Sequence, residues 1–102
     1  MYDMNLGKNA ANYQPLTPLT FLRRTIEVYP ERTAWIHGEY SRTYKEFGER
    51  CIRFASALSD IGIGTGDTVS VMAPNVPALL EAHYAVPMVG AVLNAINIRL
   101  DP

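Results

Sequence analysis

One cysteine, two histidines and a near-even balance of charge leave this 102-residue chain short of several kinds of chemistry. A lone Cys51 cannot close an internal disulfide, and no Cys/His cluster has metal-ligand spacing, so the expectation is a reducing compartment, taken as the cytoplasm, and no structural metal. Nine Lys and Arg against ten Asp and Glu leave a net charge of −1. That balance offers no electrostatic footprint for nucleic acid or for an anionic membrane surface. Long apolar runs are missing too. The longest stretch, 76–98, is interrupted by Glu81, His83, Pro87, Asn94 and Asn97, which argues against a membrane span. Residues 1–16 hold Asp3, Lys8, several Asn and Pro15 without an apolar core, so they read as a loose N-terminal leader rather than a secretory signal.

With 48% hydrophobic and 19% charged residues, the chain has the composition of an ordinary globular domain. Thr17-Pro18 is a helix-start signal, and Leu19, Leu22, Ile26 and Tyr29 follow at helical spacing until Pro30. Thr33 to His37 and Tyr40 to Thr43, joined by Gly38-Glu39, predict a hairpin. Thr43 with Glu46 forms the signature of a capping box ahead of a helix from Tyr44 to about Ile61. Phe47, Cys51, Phe54, Ala55, Leu58 and Ile61 make its apolar stripe. Glu46 with Arg50 and Glu49 with Arg53 are expected as ion pairs on its solvent side, and Gly62 as its cap.

Thr68 to Ala73 reads as a strand of the kind buried on both faces of a parallel sheet. Asn75 is placed to cap the next helix, with Pro77 in its first turn. Val76, Leu79, Leu80, Tyr84, Val86 and Met88 make that helix apolar around much of its circumference, which places it between layers. Pro87 cannot donate to the His83 carbonyl, so a kink or an end is expected there. Ala91 to Ile98 supplies a second buried strand, parallel to the first through a crossover. A β-α-β unit running from Asp67 to Pro102 needs neighbours on both sides, and the reading is that the chain is cut from something longer.

Candidate site residues are few. Gly62, Gly64 and Gly66 invite a phosphate-loop reading, but they lie between a helix and the strand that follows, the reverse of a dinucleotide fingerprint. They are read as structural. His83, in an apolar helix, is read as a hydrogen-bonded structural histidine and His37 as solvated. Cys51 is read as an inert buried thiol. Glu46, Glu49 and Asp60 fall on a solvated helix face, and Asp67 and Asp101 in turns. No catalytic, cofactor-binding or metal-binding residue is assigned.

Arg42-Thr43-Tyr44-Lys45-Glu46-Phe47, Gly66-Asp67-Thr68-Val69, Ala73-Pro74-Asn75 and Gly90-Ala91-Val92 with Asn94 to Leu100 form ordered blocks. Together they resemble the start of the adenylate-forming, AMP-binding acyl-CoA synthetases, over about residues 15–102. The wording from Asn75 to Asp101 is most similar to ligases for short, medium or aromatic acyl groups. The resemblance implies an α/β fold: the N-terminal part of a large synthetase domain, with a helix, a hairpin and a parallel β-α-β unit, residues 17–102 forming a partial subdomain. For the full-length family it implies ATP, magnesium and coenzyme A, a small carboxylic acid as substrate, and acyl-CoA formed through an acyl-adenylate. The family's phosphate loop, adenylate segment, ribose aspartate and C-terminal lysine have no counterpart here. The chain alone is therefore expected to be inactive, to hold no cofactor and to have the remainder of the ligase as its partner. Two other readings stay open: an interaction module that pairs or self-associates through exposed strand edges, and a carboxylate-binding domain using a pocket around the 75–90 helix.

Overall fold

The threonine at position 17 caps the first helix. Its hydroxyl accepts from the Thr20 amide, Pro18 occupies the first turn, and α1 runs Pro18–Val28. This is a computed structural model, and it describes residues 16–99. The leader read at residues 1–16, apart from Leu16, and the expected turn at Leu100, Asp101 and Pro102 lie outside them.

β1 (Thr33–His37) and β2 (Tyr40–Thr43) pair antiparallel, with His37 opposite Tyr40 across Gly38-Glu39. Gly38 takes φ 62°, the left-handed conformation that the first central position of this tight turn demands. Next, α2 (Tyr44–Asp60) starts with the full capping box: Thr43 Oγ1 accepts from the Glu46 amide at 3.2 Å, and Glu46 Oε1 accepts from the Thr43 amide at 2.9 Å. The elements β3 (Thr68–Met72), α3 (Pro77–Met88) and β4 (Val92–Ile96) complete a β-α-β unit whose strands pair parallel from Thr68 opposite Val92 to Met72 opposite Ile96.

Both long helices stop in the same way. After α2, Gly62 donates to the Ser59 carbonyl and Ile63 to Leu58; after α3, Gly90 donates to Pro87 and Ala91 to Val86. These are the paired bonds of a Schellman motif, with the left-handed glycine each one requires. Pro87 sits inside the last turn of α3. The helix ends one residue later, as its missing donor predicts.

The apolar interior divides into two clusters on either side of the α2–α3 contact. Leu22, Phe47 and Cys51 gather Ile26, Ala34, Trp35 and Tyr84 between α1, the hairpin and α2. Phe47 and Tyr84 meet edge to face, with centroids 5.4 Å apart. On the other side, Leu58, Ala82, Val86 and Ala91 pack with Phe54, Val69, Val71 and Leu93 under the parallel strands.

Several expectations are corrected. The parallel strands are not buried on both faces: Val69 and Val71 are half-buried, while Thr68, Ser70 and Met72 are exposed. The second strand spans five residues, with Val92 and Ile96 exposed, because helices cover one face only among the described residues. Ile61 lies outside the α2 stripe at 74% exposure, since it is the cap residue where the helical path has already turned away. Asn75 does not cap α3. Val76 does, in extended conformation and without a side-chain bond, because a residue before proline is held extended. The buried face of α3 is made of Glu81, Ala82, Ala85 and Val86, and Leu80 is partly exposed, so this helix lies on the core rather than within it.

Candidate functional site

Where α2 crosses α3, a charge enters the interior. Glu81 is 4% exposed, the one buried polar or charged residue among those described. Arg50 Nε donates to Glu81 Oε1 at 2.5 Å. That hydrogen bond, and then the carboxylate charge, holds the Arg50 guanidinium above its ordinary pKa. The expected Glu46–Arg50 and Glu49–Arg53 pairs are not formed: among the described residues the ion pairs are Arg23–Glu27 and Arg50–Glu81. Glu46 is occupied instead by the Thr43 amide, which lowers its pKa. A lone acidic residue in a stretch from Val76 to Val89 that is apolar apart from it and His83 was the signal for the missed pair, since a buried carboxylate needs a cation.

Cys51 follows Arg50 and is fully buried. Burial, then the Glu81 charge, pushes its thiol up to about 12. A thiol so rarely ionised is no nucleophile at neutral pH. His83 is exposed, and its Nδ1 lies 2.8 Å from the Leu79 carbonyl, so that nitrogen carries the donated proton. This is the hydrogen-bonded histidine expected. The glycine turn also serves itself: the Gly64 amide donates to Asp67 Oδ2 at 2.8 Å and the Asp67 amide returns to the Gly64 carbonyl. An amide already taken cannot cradle a phosphate.

Two neighbouring hollows share Trp35, His37, Val76 and Pro77 as walls. The larger, about 520 Å³, brings both histidines to one cavity, a juxtaposition that sequence spacing does not reveal. The smaller, about 300 Å³, adds Tyr40, Arg42, Arg50 and Ala78. Trp35 Nε1, on the common wall, is buried without an acceptor, an arrangement that costs about 1–3 kcal/mol. A third hollow of about 510 Å³ lies beyond the carboxyl ends of β3 and β4, where open parallel sheets hold ligands. Among the described residues, no three His, Cys, Asp or Glu side chains cluster to hold a metal.

The family model described as AMP-binding enzyme matches residues 22–102. The chain belongs to the AMP-binding enzyme family. Acetate–CoA ligase CCL3 from Humulus lupulus is 59% identical over 97 residues, covering 95% of this chain and 17% of that protein. A peroxisomal trans-cinnamate:CoA ligase from Petunia hybrida is 55% identical over the same coverage of each, 95% and 17%. The fold matches the N-terminal subdomain of NpsA from Klebsiella oxytoca in complex with 3-hydroxybenzoyl-AMSN, with a TM-score of 0.80 and 26% identity over 92% of this chain and 24% of that one. It also matches o-succinylbenzoate coenzyme A synthetase from Bacillus subtilis in complex with ATP and magnesium ion, with a TM-score of 0.75 and 25% identity over 86% and 23%. This AMP-binding family chain thus spans 17% of the length of each of these two ligases. The Petunia relative is peroxisomal by name, a compartment that the cysteine count did not suggest. No helix among the described residues is long and apolar enough to cross a membrane.

Proposed function

We propose that this chain is the N-terminal portion of an ATP-dependent acyl-CoA ligase. In that reaction a carboxylate oxygen attacks the α-phosphorus of ATP and expels pyrophosphate; the coenzyme A thiol then attacks the acyl carbonyl and AMP leaves. The observation that carries the reading is 59% identity sustained over 97 residues of an acetate–CoA ligase. The acyl group is read as a short-chain or aromatic acid, since the relatives named act on acetate and on cinnamate. ATP and magnesium belong to the complete ligase, as in the Bacillus complex, and coenzyme A is its second substrate.

Residues 17–102 are assigned to the subdomain as scaffold, residues 1–16 to a leader, and no catalytic residue to either. A triphosphate needs converging amides and cations. The sole lysine among the described residues, Lys45, is exposed at the start of α2. Because the resembled family's phosphate loop and adenylate segment have no counterpart in this sequence, the isolated chain is proposed to be inactive. A place in fatty-acid metabolism follows from the acyl chemistry; the cytoplasm is the compartment the composition favours, and a fluorescent fusion would distinguish it from the peroxisome.

The test is a chimera. Residues 17–102 replace the matching segment of the Humulus ligase, and acetate-dependent ATP–pyrophosphate exchange is expected within about tenfold of the parent, or about 1.4 kcal/mol of barrier. The 102-residue chain should show no exchange. A folded chimera without activity, or an active isolated chain, overturns the proposal. A second reading, an interaction module working through its strand edges, is favoured by the two-stranded β3–β4 sheet among the described residues, with Met72, Val92 and Ile96 exposed on it.

A further inference from the structure

The two hollows that share Trp35 differ in that arginine side chains line only the smaller. Ile36, Leu79, Leu80 and Tyr84 line the larger one. In the smaller, Arg42 and Arg50 bring two guanidinium groups, and no carboxylate lines it. Glu81 engages Nε of Arg50, and the Ser41 carbonyl engages Nη1 of Arg42, so each arginine keeps further donors for another acceptor. Glu46, the acid whose field reaches Arg42, has its Oε1 committed to the Thr43 amide. Helix α3 also begins beside this hollow, with Val76, Pro77 and Ala78 in its wall and no side-chain cap on its first turn. Trp35 lines both hollows, and its indole N–H is buried without an acceptor. Cationic donors beside an apolar chamber call for a ligand with an anionic head and an apolar body.

We propose that this cleft binds an amphiphilic carboxylate, with its aliphatic or aromatic tail in the larger hollow and its carboxylate between Arg42, Arg50 and the start of α3. A chamber of about 520 Å³ is within the size range of small-molecule sites. The site requires none of the ligase chemistry proposed above and stands apart from it.

Trp35 is the chain's single tryptophan, so its emission reports directly on the shared wall. The 102-residue chain is titrated with octanoate, with octanol and with inorganic phosphate. Octanoate is expected to give a saturable change at about tenfold lower concentration than octanol, the equivalent of one charge-assisted contact, and phosphate a weak response. Arg42→Gln should weaken octanoate about tenfold and leave octanol unchanged, whereas Leu80→Ala should weaken both. Circular dichroism checks that each variant is folded; should Arg42→Gln unfold, Arg42→Lys, expected to retain octanoate binding, and Leu80→Ala carry the test. Absence of saturation by octanoate, equal binding of octanol, or phosphate binding as tight as octanoate overturns the proposal. None of these outcomes bears on pyrophosphate exchange by the chimera.

Discussion

Glu81 and Arg50 form one ion pair with unequal ends. The Glu81 side chain is 5% exposed and that of Arg50 43%, so losing the arginine strands a buried carboxylate, while losing the glutamate leaves a cation that can return to water. Arg50→Ala is therefore expected to cost about 3 kcal/mol and Glu81→Gln about 1 kcal/mol. Urea unfolding measures both, and equal losses would mean that the pair is solvated in solution. Neutralising the acid also lifts one of the causes that raise the Cys51 thiol, though burial remains the larger. At this scale the burial of Cys51 was legible from its helical stripe. The partner of Arg50 was not, because i,i+4 spacing on one helix suggested Glu46 and only the packing of α3 against α2 brings Glu81 nearer.

Turn chemistry governs the elements, and it was the most legible part. The capping box, the hairpin glycine and the helix-ending Gly62 follow from local bonding that needs no distant residue. The two Schellman glycines separate local cost from tertiary cost. Both adopt left-handed φ, 90° at Gly62 and 82° at Gly90. A Cβ at Gly62 meets nothing within 4 Å, but at Gly90 it would lie 2.7 Å from Thr65 Oγ1. Gly62→Ala is expected to lose about 1 kcal/mol, the backbone penalty alone, and Gly90→Ala about 2 kcal/mol or more. Thermal melts of the two variants compare them directly, with equal shifts counting against a tight approach at Thr65. Where the reading of elements failed, the cause was proline geometry: Pro77 fixes Val76 as the extended cap and displaces Asn75 from that role.

For the molecule as a whole, the informative surface is the parallel pair. Met72 is 66% exposed, Val92 62% and Ile96 36%, and among the described residues the two-stranded sheet leaves an unpaired edge on each strand. Such a surface templates pairing with another chain. Sedimentation of the 102-residue chain is expected to show mass rising with concentration, and Met72→Lys with Val92→Lys to restore a monomer; a monodisperse unsubstituted chain would argue against edge pairing. The helices, the hairpin, the parallel order of β3 and β4 and the family itself were all readable from the amino acids, because caps, turns and periodicity are local and the motif blocks are contiguous. Burial was not readable to the same degree. Val92 and Ile96 carry the apolar character of core strands, yet whether they are covered depends on which layers pack on each face. The joining of Arg50 to Glu81, of His37 to the hollow beside His83, and of the two arginines to the start of α3 came from the packing of α2, α3 and the hairpin, since contacts between distant segments are decided by three-dimensional approach and leave no periodic trace along the chain.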